Sequence, residues 1–226
     1  MYFPRVYVGK VCSYQDIDES AIKKREVNTR IFLNELGLTG DEQAEQRFHG
    51  GPDRALCHYP EEHYIYWQKC FPQIKEHFCA SAFGENIATV GLTEQNVCIG
   101  DVFRWADAMI QVTQPRSPCY KLNDHFCVDD LSVRMQQTGL CGWLYRVICV
   151  GEVSSNEPLE LVNRYSDVSV EEAITIAFHL DFDPAQYQRL SSATGLSSSW
   201  QNNMRKRITE GKIEDFNRRL LGNHDR

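Results

Sequence analysis

Along the first two-thirds of the chain, apolar residues come in short runs rich in β-branched and aromatic side chains, broken by Gly, Pro and Asp. That pattern predicts strands at Tyr7–Val11, Ala21–Val27, Ala55–His58, Asn86–Ala88, Val102–Trp105, Met109–Thr113 and Trp143–Val150. Strands so short and closely spaced suit a barrel or folded sheet better than alternating βαβ units. Two helices interrupt them. "PEEHYIYWQKCF" places Pro60 in a first turn with acids behind it. "VDDLSVRMQQTG" offers Asp129 or Asp130 as a cap, Leu131 and Met135 on one face, and Gly139 as a stop.

After about residue 163 the pattern is helical only. Ser169 and Glu172 make a capping box ahead of "AITIAF". Asp183-Pro184 is a cap followed by proline at the first helical position, and Gly195 closes that segment. Ser197 or Ser198 caps a third helix ending at Gly211, and "KIEDFNRRLLG" makes a short fourth. The expected fold is mainly β with α: a β-barrel-like domain over 1–163, then a small helical unit over 164–226.

With 226 residues and 42% hydrophobic content, the chain can bury a real core. No apolar run approaches the ~18 residues of a membrane span. The start, "MYFPRVYVGKVC", lacks a basic-then-apolar leader pattern, so a cytoplasmic location is expected. A net charge of −7 disfavours polymeric nucleic acid as a partner. Seven Lys/Arg against four Asp/Glu in the last thirty residues read first as a solvated helix face.

The cysteines are nine in number, so they cannot all pair within one chain. The absence of C-x-x-C argues against a structural zinc site or a thioredoxin-type motif. Cys57, Cys98 and Cys149 lie in strand-like runs and read as small buried hydrophobes. Cys119 differs. In "QPRSPCYKLN" two prolines bracket an Arg-Ser pair and stand just before it, which makes a rigid loop presenting Arg116, Ser117 and Cys119. Three other stretches stand out. "HGGPDR" carries His49, the tight turn Gly50-Gly51-Pro52, and Asp53-Arg54, a pattern suited to an anion. "FGEN" sets Glu85 and Asn86 beside Gly84, and "GWLYRV" brings Trp143, Tyr145 and Arg146 into a strand. Each is an ordinary loop or core pattern by itself.

In order, "HGGPDRA", "FGEN", "GD-F-W" and "QPRSPC-K" resemble the MOSC family, named from the C-terminal domain of molybdenum-cofactor sulfurases, and within it the bacterial YiiM-type branch. The resemblance spans the chain, with the MOSC part at about 28–162 and the trailing helices like that branch's three-helix extension. It implies a β-barrel-like domain holding a molybdenum cofactor (molybdopterin), with Cys119 matching the cysteine that ligates molybdenum. A soft thiolate suits a metal already bound by dithiolene sulfur, and a nearby Arg favours the thiolate. Arg54 and Arg116 are the leading candidates for the pterin phosphate. His49, Gly50, Gly51 and Asp53 match the motif kept near the pocket, and Asn86, Ser117, Lys121 and Asn123 are candidates to contact the cofactor or line the mouth.

The implied activity is two-electron reduction of N-hydroxylated compounds, N-hydroxylated purine bases included, serving detoxification. The alternative is a non-catalytic carrier of the cofactor, or of sulfur, on Cys119. A metal-free hydrolase using Cys119 and His49 would leave the arginines and the glycine turn unexplained. No G-x-G-x-x-G and no C-x4-C-x2-C is present, so an external electron-donor reductase is expected, a flavoprotein or a small iron–sulfur protein. Arg205, Lys206 and Arg207 are its expected docking residues.

Overall fold

The computed structural model describes residues 1–14, 17–44 and 50–222. Its strands are β1 (Arg5–Val8), β2 (Cys12–Tyr14), β3 (Ile17–Ser20), β4 (Arg25–Glu26), β5 (Ile31–Asn34), β6 (Gly37–Leu38), β7 (Leu56–Pro60), β8 (Ile87–Thr89), β9 (Val102–Trp105), β10 (Ala108–Pro115), β11 (Trp143–Cys149), β12 (Gly151–Val153) and β13 (Leu159–Asn163). Its helices are α1 (Glu62–Cys70), α2 (Lys121–Phe126), α3 (Leu131–Thr138), α4 (Val170–Ile174), α5 (Pro184–Ser191), α6 (Ser198–Glu210) and α7 (Asn217–Leu221).

Eight strands form one mixed sheet in the order β13-β9-β10-β11-β7-β8-β1-β4, with only the β7–β8 pair parallel. The sheet curls until its margins meet: Leu159 of β13 donates its N–H to the carbonyl of Tyr2, just ahead of β1, at 2.8 Å. This is the barrel-like architecture the sequence suggests. Inside lie the fully buried Leu56, Ile87, Phe103, Trp105, Trp143 and Tyr145. In β10, six consecutive residues from Ile110 to Pro115 are buried, because the helical unit covers the outer face of that strand. Period-two alternation is absent there for that reason.

The helical unit meets the barrel at close quarters. Ser197 donates its N–H to the Thr113 carbonyl at 2.9 Å. Gly195 has φ +97°, and a Cβ on it would stand 2.5 Å from the Gly100 Cα. A Cβ on Gly100 would meet the Thr194 carbonyl oxygen at 2.1 Å. Only glycine on both sides permits this approach.

Helix ends follow their local chemistry. The hydroxyls of Ser169 and Ser197 accept the N–H groups of Glu172 and Trp200, and Asp183 accepts from Ala185 and Gln186. Gly139 and Gly211 end their helices in the left-handed conformation. Other expectations need correction. Pro60 ends β7 in register with Thr89, since its fixed φ also suits extended backbone, and Glu61 takes the cap of α1. Asp130 occupies the cap of α3, but its carboxylate turns to Arg134. Of the strand expected over 21–27, only Arg25–Glu26 pairs. Strands β5, β6, β12 and β13 and helix α2 were not legible in the pattern. Cys149 is exposed, at the end of β11 where the burial pattern opens to solvent.

Candidate functional site

The proline-braced loop starts two residues later than the expected strand end at Thr113 implies. Pro115 still pairs with Trp143 as the last residue of β10, and Arg116 then ties its N–H to the Gly142 carbonyl at 3.0 Å. Cys119 and Tyr120 lead directly into α2, where the Cys119 carbonyl accepts the Leu122 N–H at 3.0 Å. The Cys119 thiol is half-buried, and Ser117 and Lys121 beside it have intermediate exposure.

Arg116 turns inward. Its Nη1 is fully buried and meets no hydrogen-bond partner among the described residues. Burial depresses its pKa, but the thiols of Cys57 and Cys119, the carboxyl of Glu85 and the Tyr59 phenol outweigh that and raise it overall. A guanidinium is in any case charged at working pH. Burial pushes the Cys57 thiol up, with Arg116 the first charge acting against it. Burial also raises the Glu85 carboxyl, opposed first by its bond from the Tyr64 hydroxyl. Glu85 Oε1 accepts from the Tyr64 hydroxyl and the Ser81 N–H at 2.5 Å each, and Oε2 accepts from the Phe83 N–H at 3.2 Å. Cys57 and Glu85 thus join Arg116 and Cys119. "FGEN" was the sequence signal for Glu85; Cys57, in a strand, gave none.

The glycine turn serves another contact. Gly51 has φ +100°, and no atom of the described residues lies within 4 Å of where its Cβ would be, so among them this face of the turn is open to a close approach. Asp53 Oδ1 accepts from Arg146 Nε at 2.9 Å and Nη2 at 2.8 Å, while Oδ2 accepts the Ser198 N–H at 3.3 Å at the start of α6. Arg54 Nη2 donates to the Ser199 hydroxyl at 3.3 Å, and burial lowers the pKa of its guanidinium. Ser199 also donates to Gln114 Oε1 at 3.5 Å, one residue before Pro115. Asp53 and Arg54 thereby both contact the helical unit. Gly50 belongs to the same turn, and His49 lies outside the described residues.

Asn86 and Asn123 are spent on the scaffold. Asn86 accepts the Cys57 N–H at 3.1 Å and donates to the Tyr7 carbonyl at 3.2 Å and to Asp41 at 2.7 Å. Asn123 donates to the carbonyls of Asp129 and Leu220 and accepts the Ser132 N–H. It is buried, which corrects its expected place at the mouth. Trp143 is a core residue, stacked on His58 with ring centroids 4.3 Å apart.

Asp41 also pairs with Lys24, and both charges reach Cys57. Lys24 lines a cavity of ≈ 420 Å³ with Gly9, Lys10, Lys23 and Arg25, a recess whose charged lining is cationic. Among the described residues no group of three His, Cys, Asp or Glu side chains could hold a metal ion.

Arg207, expected to help dock a donor, is only 3% exposed. It donates to Glu214 at 2.7 and 2.8 Å and to the Ala177 carbonyl at 2.8 Å, with Tyr187 and Phe216 against its guanidinium. Arg205 and Lys206 remain exposed.

The MOSC domain family matches residues 45–160, and the family described as "YiiM-like, 3-alpha helix domain" matches residues 168–211. Over 217 residues the chain is 60% identical to Protein YiiM of Escherichia coli, covering 96% of this chain and 97% of that protein. The crystal structure of YiiM from Escherichia coli matches with a TM-score of 0.86 at 55% identity, covering 98% of each chain. A protein of Gibberella moniliformis named "Reductase" is 35% identical over 146 residues, which are 64% of this chain and 26% of that protein. The chain therefore belongs to the MOSC family, in its YiiM-like form, a family associated with binding of the molybdenum cofactor.

Proposed function

We propose that the chain is a molybdenum-cofactor-dependent reductase of N-hydroxylated compounds, N-hydroxylated purine bases among them, acting in detoxification. One observation carries the reading: a half-buried Arg116, whose Nη1 is fully buried and unpartnered among the described residues, stands beside the half-buried thiol of Cys119. A buried guanidinium donor left unpaired is costly, and an anionic group from a ligand would satisfy it. Cys119 supplies a soft thiolate suited to molybdenum. The cationic recess at Lys10, Lys23, Lys24 and Arg25 favours an anionic tail nearby. The relative named "Reductase" supports the reaction class.

When bound, the cofactor would supply the two-electron chemistry that removes oxygen from N–OH and leaves the amine. The chain's own residues would then bind and orient. Cys119 would hold the metal, and Arg116, whose guanidinium stays protonated at any working pH, the anionic portion. Ser117 and Lys121, flanking the thiol in sequence, would lie nearest the bound group. Gly50 and Gly51 would allow it close to the backbone.

The decisive experiment uses protein from a host that makes the cofactor. Molybdenum should copurify at close to one per chain. With dithionite as reductant, each molybdenum should reduce many molecules of a hydroxylaminopurine. Molybdenum without turnover would indicate a carrier, and no molybdenum at all would defeat the cofactor reading. Protein, NADPH and substrate alone should give no reduction, and a cognate flavoprotein or small iron–sulfur protein should restore it. Direct NADPH-dependent turnover by the isolated chain would remove the external donor.

A further inference from the structure

Residues 212–222 lie beyond both matched families, yet they grip the loop that carries Cys119. The Arg219 carbonyl accepts the Tyr120 N–H at 2.9 Å. Its guanidinium donates through Nη1 to the Pro118 carbonyl and through Nη2 to Gln136 Oε1 at 2.5 Å. One residue thereby holds the chain on both sides of Cys119. The next carbonyl, that of Leu220, accepts from Asn123 Nδ2 at 3.0 Å and from the Ser132 hydroxyl at 2.6 Å. Gly222 sits against the Tyr120 ring, where a Cβ would come within 3.2 Å.

The guanidinium itself is fixed in place. It lies over the rings of Phe178 and Phe216, at 5.2 and 5.4 Å from their centroids. Those two rings meet edge to face at 5.5 Å. Prolines fix φ at 115 and 118, and the first turn of α2 ties the carbonyls of Cys119 and Tyr120, but neither holds the segment 118–120 against the rest of the fold. A ligand thiolate must be offered at one distance and in one direction, and a loop residue left to itself does not do so. Contacts from α7 supply the missing constraint.

We propose that Arg219 is a positioning residue for Cys119, and that α7 is the part of the helical unit that completes the cofactor site. The second half of this statement rests on Cys119 being the molybdenum ligand; the first does not. Full-length Arg219→Ala and Arg219→Lys test both. In cofactor-free protein, alkylation of Cys119 followed by peptide mass spectrometry should be about tenfold faster in Arg219→Ala, the effect of losing one charge-assisted contact. Arg219→Lys, which keeps a charged donor, should fall between it and the wild type. The exposed Cys70 and Cys149 should react at unchanged rates and serve as internal controls. Amide exchange at Tyr120 should quicken in the same order.

In cofactor-loaded protein, the Mo(V) resonance spectrum of Arg219→Ala should broaden or shift, because the thiolate no longer has one orientation, and Arg219→Lys should restore it in part. Unchanged Cys119 alkylation in both variants overturns the clamp whatever the cofactor result. Faster alkylation with an identical Mo(V) spectrum overturns the link to the cofactor site. If Arg219→Ala does not fold, Arg219→Lys alone decides by the same readouts. Wild-type protein without molybdenum would defeat the cofactor reading, and the alkylation arm would still decide the clamp.

Discussion

Asp53 grips Arg146 with one carboxylate oxygen, at 2.8 and 2.9 Å, and reaches the first N–H of α6 with the other. The glycine turn is thereby tied to β11 and to the helical unit at once. Asp53→Asn should lower the unfolding free energy of cofactor-free protein by about 1–2 kcal/mol, since a partly exposed ion pair and a helix-start contact are both weakened. Denaturant titration measures this. Undiminished stability with lost molybdenum would instead make Asp53 a cofactor ligand.

Cys119→Ser should leave the melting temperature near that of the wild type and abolish molybdenum retention, because a hydroxyl is a poor substitute for a thiolate on that metal. Cys149→Ser should change neither property, as its side chain stands in solvent. Elemental analysis and a thermal melt separate the two variants. Wild-type molybdenum content in Cys119→Ser would cancel the ligand assignment.

Arg116 points to a trade between stability and binding. Its buried Nη1 lacks a partner among the described residues, so Arg116→Met should not destabilise cofactor-free protein. The same change should weaken cofactor retention by about one to two decades, for a lost contact of roughly 1.5–3 kcal/mol. Arg116→Lys should recover only part of that, lacking the planar fork. A large stability loss in Arg116→Met would show that the guanidinium is satisfied without the cofactor.

His58 should set an acid limit. Its ring nitrogens lie 3.0 Å from the Tyr145 hydroxyl and 2.8 Å from the Thr89 hydroxyl, and burial lowers its pKa to about 3. A histidine with a depressed folded-state pKa contributes stability above its unfolded value of about 6.5 and loses it as pH falls toward the folded value. Between about pH 6 and 4, His58→Gln should reduce the acid dependence of unfolding by up to about 1.4 kcal/mol per pH unit. Superimposable slopes for the two proteins would show that His58 is already protonated in the fold.

How far the chain could be read ahead of its structure depended on how local each signal was. Ser169, Asp183, Ser197, Gly139 and Gly211 act within one turn, and all five cap helices as read. β5 and β6 went unseen because they are only four and two residues long, and because the second neighbour of β5 lies far off in sequence, with Leu33 set against Gly151 as well as Leu38. "QPRSPC" announced a rigid loop because proline restricts itself. What grips that loop is Arg219, a hundred residues on, and nothing near Arg219 hints at it. Asp53 and Arg54 read as ligand residues because acid–base pairs beside glycine turns serve ligands, and only the position of α6 brings out their contact with the helical unit as well.

The fit of Gly100 against Gly195 bears on how the molecule comes apart. With backbone seated on backbone, the helices cannot slide on the barrel or lift from it by small steps, so barrel and helices should melt in one calorimetric transition. A cut in the connecting stretch 164–168 should leave the two pieces associated. Transplanting these helices onto a foreign barrel would demand a glycine at the position facing Gly195, so that in any recombined protein the two parts must be inherited together.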